Sequence, residues 1–486
     1  MLVTDHFLHG FFHPRSVAVV GATDSPFKIN SRLVHNLVSL GFEGRLYPVN
    51  LNANEIFGLK AYPSLADVPD SIDLVISAVP PAKTMDIVRA CRDLGVERLV
   101  IVTGGFSEGG AKGRALHDEI AAFAKAHGIR TLGPNTLSPV HTPTRLAISY
   151  NPIKRLSRGG VSLVFQSGFY DARINWIFEK FGINKITDCG NKMDVNETDV
   201  LEYYALDPET RVIGMHIESL HGDGRRFFNL LKQTARKKPV VVLKSGRTAS
   251  GARAAASHTG SLSRENDSVF NDMIRQTAAV RATDMDEFFD LLKAFDRLDP
   301  PRGNRLAIVT MSGGEGVMAT DFCEMNGLQM AGFSQETRDR LQGIMPPWEI
   351  PLNPFDAGVA MQFHMADPLR FYGTLKAVSR DEGVDLLLMA LPPSVFDFVF
   401  SNPDVSEEAG RSTVEAFIRS LGDLRSERTP FALWRTSIDA GEERAVQMLE
   451  TSGLPVFESS ARAIRAMAVL AGYSRMTNRN HDGEVP

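Results

Sequence analysis

Three times along the chain an apolar, β-branched run passes through a turn of small residues into a helical repeat of apolar positions. The runs are Ser16-Val-Ala-Val-Val-Gly-Ala-Thr23, Val161-Ser-Leu-Val-Phe-Gln-Ser-Gly168 and Arg305-Leu-Ala-Ile-Val-Thr-Met-Ser-Gly-Gly-Glu-Gly316. Each is continuously apolar rather than alternating, which predicts a strand buried on both faces inside a parallel sheet that helices cover on either side. Each therefore opens its own doubly wound α/β unit. Further strands are expected at Gly44–Asn50, Leu74–Val79 and Arg98–Thr103, then at Val212–Ile217 and Val240–Leu243, then at Asp385–Ala390. The stretches from Asn151-Pro to Gly159-Gly160 and from Leu298 to Asn304 are rich in turn formers and read as seams. The expected domains are 1–150, 151–300 and 301–475, with a polar tail at 476–486.

Composition narrows the class of protein. A chain of 486 residues exceeds one core and accommodates about three domains of ~150 residues. A net charge of −5 supplies no basic field, so nucleic acid is not the expected partner. No apolar run reaches the ~18 residues that span a bilayer, and the N-terminus lacks the pattern of a secretory signal. Cys91, Cys189 and Cys323 lie far apart with no metal-ligand spacing, which fits a reduced, cytoplasmic setting and no metal site in this chain.

In open parallel sheets ligands bind at the carboxyl ends of the strands, and the polar residues gather there. Gly21-Ala-Thr23 follows the first strand without a GxGxxG pattern, and the second strand ends at Asn50 where dinucleotide folds carry an acid. Nicotinamide binding is thereby disfavoured. The ADP moiety of coenzyme A still fits a helix N-terminus, as does a purely structural turn. Gln166-Ser167-Gly168 and Ser312-Gly313-Gly314 stand between strand and helix, where free amides attract anions or simply make a turn. Gly251 to Leu262 is a run of small residues around His258, read as a tight polar loop whose imidazole is suited to carry a phosphoryl group. Glu218 ends a strand and is able to bond one imidazole nitrogen, leaving the other as nucleophile, or to lie in solvent. His216, on the same strand, reads as a packed core residue.

Taken together these segments resemble the nucleoside-diphosphate-forming acyl-CoA synthetases, relatives of succinyl-CoA synthetase. The resemblance runs from about Phe11 to Ala471. Its telling segments are Phe12-His-Pro-Arg-Ser-Val-Ala-Val-Val-Gly-Ala, Gly133-Pro-Asn135, Gly190-Asn-Lys-Met-Asp194, Ala254-Ala-Ala-Ser-His-Thr-Gly-Ser261, Ser312-Gly-Gly-Glu-Gly316 and Asn353-Pro-Phe-Asp356. It implies a Rossmann-like CoA-binding domain followed by two flavodoxin-like ligase domains. It also implies that His258 is phosphorylated in turnover, that Glu218 orients it, and that Gln166, Ser167, Gly168, Ser312, Gly313 and Gly314 bind phosphate. Coenzyme A would be lined by Gly21, Thr23, Lys28, Asn50, Val79 and Pro80, with Thr103, Gly104 and Glu108 nearby. Asn135 would lie near the reacting acyl group.

No ATP-grasp-like domain is recognisable, neither a Walker-type loop nor an acidic Mg²⁺ pair. The resemblance then implies an α-type chain in a hetero- or homo-oligomer. ATP or ADP with Mg²⁺ would sit on a β subunit of ATP-grasp type, and the acid substrate would be a small carboxylic acid. Two departures from the family pattern fall where acyl group or phosphate should sit. Gly-Pro-Asn-Cys-Leu-Gly is here Gly133-Pro-Asn-Thr136-Leu-Ser138, and Ser-Gln-Ser-Gly-Ala is Phe165-Gln-Ser-Gly-Phe169-Tyr170-Asp171. Phe169, Tyr170 and Trp176 either shape a pocket for an unusual acid or face the core. Two other functions stay open on the same fold: a CoA or acyl transferase that needs no nucleotide, and a non-catalytic CoA-binding protein.

Overall fold

The first apolar run forms β1 (Ser16–Val20), buried at every position as a doubly covered strand must be. In this computed structural model, residues 2–259, 267–364, 368–392, 406–425, 429–437 and 440–479 are described. The chain divides into two compact units, Met1–Thr283 and Asp284–Pro486. In the first unit β1 is followed by β2 (Arg45–Val49), a short hairpin of β3 (Glu55–Ile56) and β4 (Leu59–Lys60), then β5 (Leu74–Ser77), β6 (Arg98–Ile101) and β7 (Arg130–Leu132). Apart from the hairpin, these form one parallel sheet in the order β2-β1-β5-β6-β7.

A second sheet begins with two short strands, β8 (Val140–His141) and β9 (Leu146–Ala147). It continues through β10 (Arg158–Phe165), β11 (Ile183–Asp188), β12 (Val212–Ile217), β13 (Val240–Lys244) and β14 (Val280–Ala282). The order is β14-β13-β12-β10-β11-β8-β9, parallel except that β8 and β9 join antiparallel at the β11 edge. Residues 140–147, placed by sequence in the first domain, thus extend the sheet of the second. Two-residue strands have no periodicity from which this could be read.

The second unit holds β15 (Arg305–Thr310), β16 (Gln329–Met330), β17 (Phe355–Asp356), β18 (Leu386–Ala390), β19 (Phe431–Trp434) and β20 (Val456–Phe457). Their order is β16-β15-β18-β19-β20, with β17 also on β15. The helix Met285–Arg297, which the seam at Leu298 had assigned to the middle domain, lies in this unit. All three parallel sheets share one plan. The first parallel strand has its successor on one side and, on the other, β5, β12 or β18, so each has a switch point where two crossovers diverge.

A buried group of histidines ties the N-terminal segment to β8. His141 Nδ1 lies 2.9 Å from Phe12 O and 2.8 Å from Thr144 Oγ1; the carbonyl can only accept, so Nδ1 carries the proton. The His13 ring lies 4.5 Å from it, edge to face. Burial pushes His141 down to about 2, with Lys185 and His13 adding to the effect and Asp207 opposing it. A histidine kept neutral in the folded state, while the unfolded chain takes up a proton below about pH 6.5, leaves stability unaffected above that pH and lowers it progressively as pH falls from there toward 2. At pH 4.5 the loss from His141 alone should be about 2–3 kcal/mol. Denaturant unfolding at pH 7 and 4.5 checks this: His141→Asn should shrink the difference by about that amount, the other buried histidines such as His13 and His216 keeping their share, and an unchanged difference would contradict it.

Candidate functional site

Gln166, Ser167 and Gly168 stand directly after β10, and Glu218 directly after β12, the two strands that flank the switch point of the second sheet. The structure therefore brings together two groups 50 residues apart in sequence. The Gln166 side chain makes the join. Its Oε1 accepts from the backbone N–H of Glu218 (2.8 Å) and of Ser219 (2.9 Å), and its Nε2 donates to Ser219 Oγ (3.0 Å). The amide is 6% exposed, and three of its four hydrogen-bonding positions hold the Glu218 loop. Two lysines grip the same loop. Lys244 Nζ donates to Glu218 O (2.7 Å) and Ser245 O (3.0 Å). Lys192 Nζ donates to Ser219 O and pairs with Glu197 at 2.7 Å, both side chains being buried. Glu197 Oε1 in turn accepts from His221 N at 2.6 Å. His216 Nε2 lies 2.7 Å from Ser245 Oγ, and burial pushes this imidazole down to about 4, so it is neutral at physiological pH. That agrees with its reading as a packed core residue.

The segment with His258 departs from expectation. It is not a loop: Ala249–Thr259 is a helix, with Thr248 Oγ1 accepting from Gly251 N at 3.0 Å in its first turn. Small side chains had suggested a turn, but five alanines in eleven residues make the stretch a strong helix former. His258 is the penultimate residue of the helix; its side chain, and residues 260–266, lie outside the described residues. The loop from Lys244 to Thr248 that starts this helix is the one that Lys244 and Ser245 tie to Glu218 and His216.

Ser167–Gly168 opens into a 3-10 helix, Gly168–Arg173, before the short α-helix Ile174–Lys180, not directly into an α-helix. Of the three residues that depart from the family pattern next to it, two are pulled inward. Tyr170 is fully buried, stacked on Phe165 at 4.6 Å, and its hydroxyl donates to Leu137 O. Asp171 Oδ2 accepts from Asn151 Nδ2 (2.7 Å) and Tyr150 N (3.2 Å). Phe169 alone is half-buried, its ring edge-on to His216 at 4.9 Å. Trp176 is 39% exposed and packs against Phe181. Of the three aromatics Tyr170 belongs to the core, as one of the two readings held.

In the first sheet, Gly21 and Thr23 follow β1 while Val79 and Pro80 follow β5, again on both sides of the switch point. Gly21 has φ +81°, and a Cβ there would lie 3.0 Å from Ala78 O, so the two strand ends stay close only with glycine. Asn50 Nδ2 donates to Ala22 O (2.8 Å), Asn30 Nδ2 to Gly21 O (2.7 Å) and Thr103 Oγ1 to Val79 O (2.9 Å). Lys28 is on the exposed loop between β1 and the helix Ser31–Ser39. This open strand-end crevice with its following helix suits a phosphate-bearing cofactor such as coenzyme A.

The two sites meet through loops. Glu108 Oε1 accepts from Gly105 N at 2.7 Å, and its other oxygen accepts from Asn191 Nδ2. A Cβ on Gly104 would fall 2.8 Å from Glu108 Oε1 and 3.2 Å from Asn135 Oδ1. Asn135 N donates to Thr103 O at 3.0 Å. Thr103, Gly104, Glu108 and Asn135 thus form one rim between the first and second sheets. Ser312, Gly313 and Gly314 cap the helix Gly313–Met325 in the other compact unit, exposed, with Ser312 Oγ accepting from Glu315 N at 3.3 Å.

Sequence reasoning missed Asp188. This last residue of β11 is wholly buried, and its carboxylate accepts from Leu137 N (3.1 Å) and Gly190 N (3.0 Å). Burial raises it to about 7 although those two amides pull it down, and Asp171 and Glu218 repel its charge. Its position at a strand end beside a glycine was the available signal, but a single acid inside a motif gives no hint of depth.

Comparison with known proteins adds independent findings. Residues 15–142 match the family described as a CoA binding domain, and residues 158–295 the family described as a succinyl-CoA ligase like flavodoxin domain. The chain is 33% identical over 475 residues to the α subunit of an acetate–CoA ligase (ADP-forming) I of Pyrococcus furiosus, covering 96% of this chain and 98% of the relative. It is 37% identical over 386 residues to the acetate–CoA ligase (ADP-forming) II of Archaeoglobus fulgidus, covering 78% of this chain but only 56% of that longer protein. The solved structure of a dinucleotide-forming acetyl-coenzyme A synthetase 1 of Candidatus Korarchaeum cryptofilum, in complex with phosphate and ADP, superposes with a TM-score of 0.84 at 31% identity over 99% of both chains.

Proposed function

The chain belongs to the ADP-forming acetate–CoA ligase family as an α-subunit-type member, and from that premise we propose that it converts a carboxylic acid and coenzyme A to acyl-CoA through a phosphorylated His258. The observation that carries the proposal is the convergence of Ser167–Gly168 and Glu218 at the second switch point, braced by Gln166 and Lys244 to the loop that starts the His258 helix. A carboxylate resists thiol attack because its charge repels nucleophiles and oxide leaves poorly. In the proposed sequence the γ-phosphoryl group of ATP passes to a ring nitrogen of His258 with release of ADP. An oxygen of the acid then attacks phosphorus, the N–P bond breaks, and an acyl phosphate results. The CoA thiolate attacks the acyl carbon, and phosphate leaves with the C–O electron pair. Each transfer is easier than the direct one.

Glu218 would fix the tautomer of His258, the strand-end amides would hold the phosphoryl oxygens, and Gly21, Thr23, Lys28, Asn50, Val79 and Pro80 would line coenzyme A. ATP with Mg²⁺ would be held by a separate ATP-grasp chain. Support comes from the Pyrococcus furiosus relative, which is named as an α subunit and of which this chain covers 98%. Cys91, Cys189 and Cys323 are unpaired and buried, in keeping with a cytoplasmic enzyme. The test is to assay acyl-CoA formation from ATP, CoA and a panel of acids, by the chain alone and with an ATP-grasp partner. Turnover should need both chains. Turnover by this chain alone, without nucleotide, would point to a transferase instead, and CoA binding with no turnover under either condition to a binding protein.

A further inference from the structure

Thr136, Ser138 and Tyr170, three of the residues that depart from the family pattern, are far apart in sequence, yet the structure joins them around Leu137 and Asp188. Thr136 Oγ1 donates to Asp188 O at 2.6 Å, and Ser138 Oγ donates to the same carbonyl at 3.0 Å; the two hydroxyls are 2.9 Å apart. Between them, Leu137 has both backbone groups taken by side chains, its N–H by the Asp188 carboxylate and its carbonyl by the Tyr170 hydroxyl. Tyr170 and Asp188 are 33 and 51 residues beyond Leu137. Both are buried, with Tyr170 fixed by its stack on Phe165 and Asp188 by the N–H of Gly190.

What they hold is a strained turn that is buried on either side of Asn135 and exposed at that residue. Asn135 has φ +60°, a conformation that a side chain other than glycine adopts at a cost, and its side chain is presented outward. The turn is gripped on its other side by backbone alone. Pro134 O accepts from Asn191 N (2.9 Å), Gly133 O from Met193 N (2.9 Å), and Asn135 N donates to Thr103 O. A turn that must be strained stays in one conformation only where its surroundings over-determine it. Only the contacts with Tyr170, Asp188, Thr136 and Ser138 come from side chains, so they are the ones that sequence can change without altering the fold.

We propose that Tyr170 and Asp188, with Thr136 and Ser138, form a latch that positions the Asn135 turn and so sets how tightly the acid substrate is held. The proposal rests on the reading that Asn135 lies at the acyl site. Tyr170 and Asp188 are positioning residues, acting through the turn and not on the acid. For Tyr170, a hold on the turn takes the place of a pocket wall.

The experiment uses Tyr170→Phe and Asp188→Asn in the full chain assembled with its ATP-grasp partner. Each removes one hold on Leu137 while keeping size and shape. Hydrogen exchange over residues 133–139 should speed up by about tenfold in each variant, the loss of one buried hydrogen bond. With acetate, isobutyrate and phenylacetate as probes, KM for any acid the wild type uses should rise about tenfold while KM for CoA stays within about twofold. Exchange that matches the wild type, or acid and CoA KM values that rise together, would overturn the latch. Should the wild-type assembly turn over none of the acids, the proposed function fails, and the exchange of residues 133–139 still decides the latch.

Discussion

The His258→Ala chain, paired with its ATP-grasp partner, should form acyl-CoA at a rate lower by about four orders of magnitude or more. The size of the effect follows from the role. If His258 is the covalent carrier, the nucleotide site and the acyl site are linked only through it. Among the described residues near the second switch point, His216 is bonded to Ser245 and its imidazole is neutral down to about 4 in the core. Glu218 is an oxygen nucleophile held by backbone contacts on both sides of its loop. Glu218→Gln should cost about 10²- to 10³-fold, because the imidazole remains but loses the charge that fixes its tautomer. Both values come from kcat measured at saturating acid and CoA. Loss of a purely structural contact would instead leave kcat within a few fold and show as instability.

The second large effect is on the fold. Gly190→Ala should destabilise the first compact unit by about 3 kcal/mol or more. Gly190 has φ +53°, and a Cβ there would stand 2.2 Å from Pro134 O and 2.7 Å from Asn135 O. Those carbonyls belong to the strained turn at the rim, so neither side can yield without moving Asn135. Denaturant unfolding followed by a probe in the first unit should show the midpoint fall. An unshifted midpoint would mean that the two backbones separate freely, contrary to the contacts Asn191 N to Pro134 O and Met193 N to Gly133 O.

The three sheets were legible in sequence because their opening strands are buried on both faces, leaving apolar runs such as Ser16–Val20 that no exposed element would carry. The strand-end residues were legible for the complementary reason: Gly21, Gly168 and Glu218 interrupt those runs where a parallel sheet opens to ligand. What escaped depended on contacts between distant segments. Gln166 stood in a strand-end motif, and only the fold shows its amide bonded to Glu218 and Ser219. Asp188 and Tyr170 meet at Leu137, a residue with no distinguishing feature of its own. The helix Ala249–Thr259 was mistaken for a loop because small size and helix propensity coincide in alanine. The strands β8 and β9 are too short for any repeat to reveal, and they shift residues 140–147 to the second sheet.

The proposed relay requires this chain to accept phosphate on one histidine and to pass it on. The direct measurement incubates the purified chain with an ATP-grasp partner and γ-labelled ATP, then maps the label by peptide mass spectrometry and by its stability in acid and base. The label should sit on His258, be lost in acid but not in base, and disappear when CoA and a substrate acid are added together. Label that persists in His258→Ala, or that survives the addition of CoA and every acid that yields acyl-CoA, would contradict the relay.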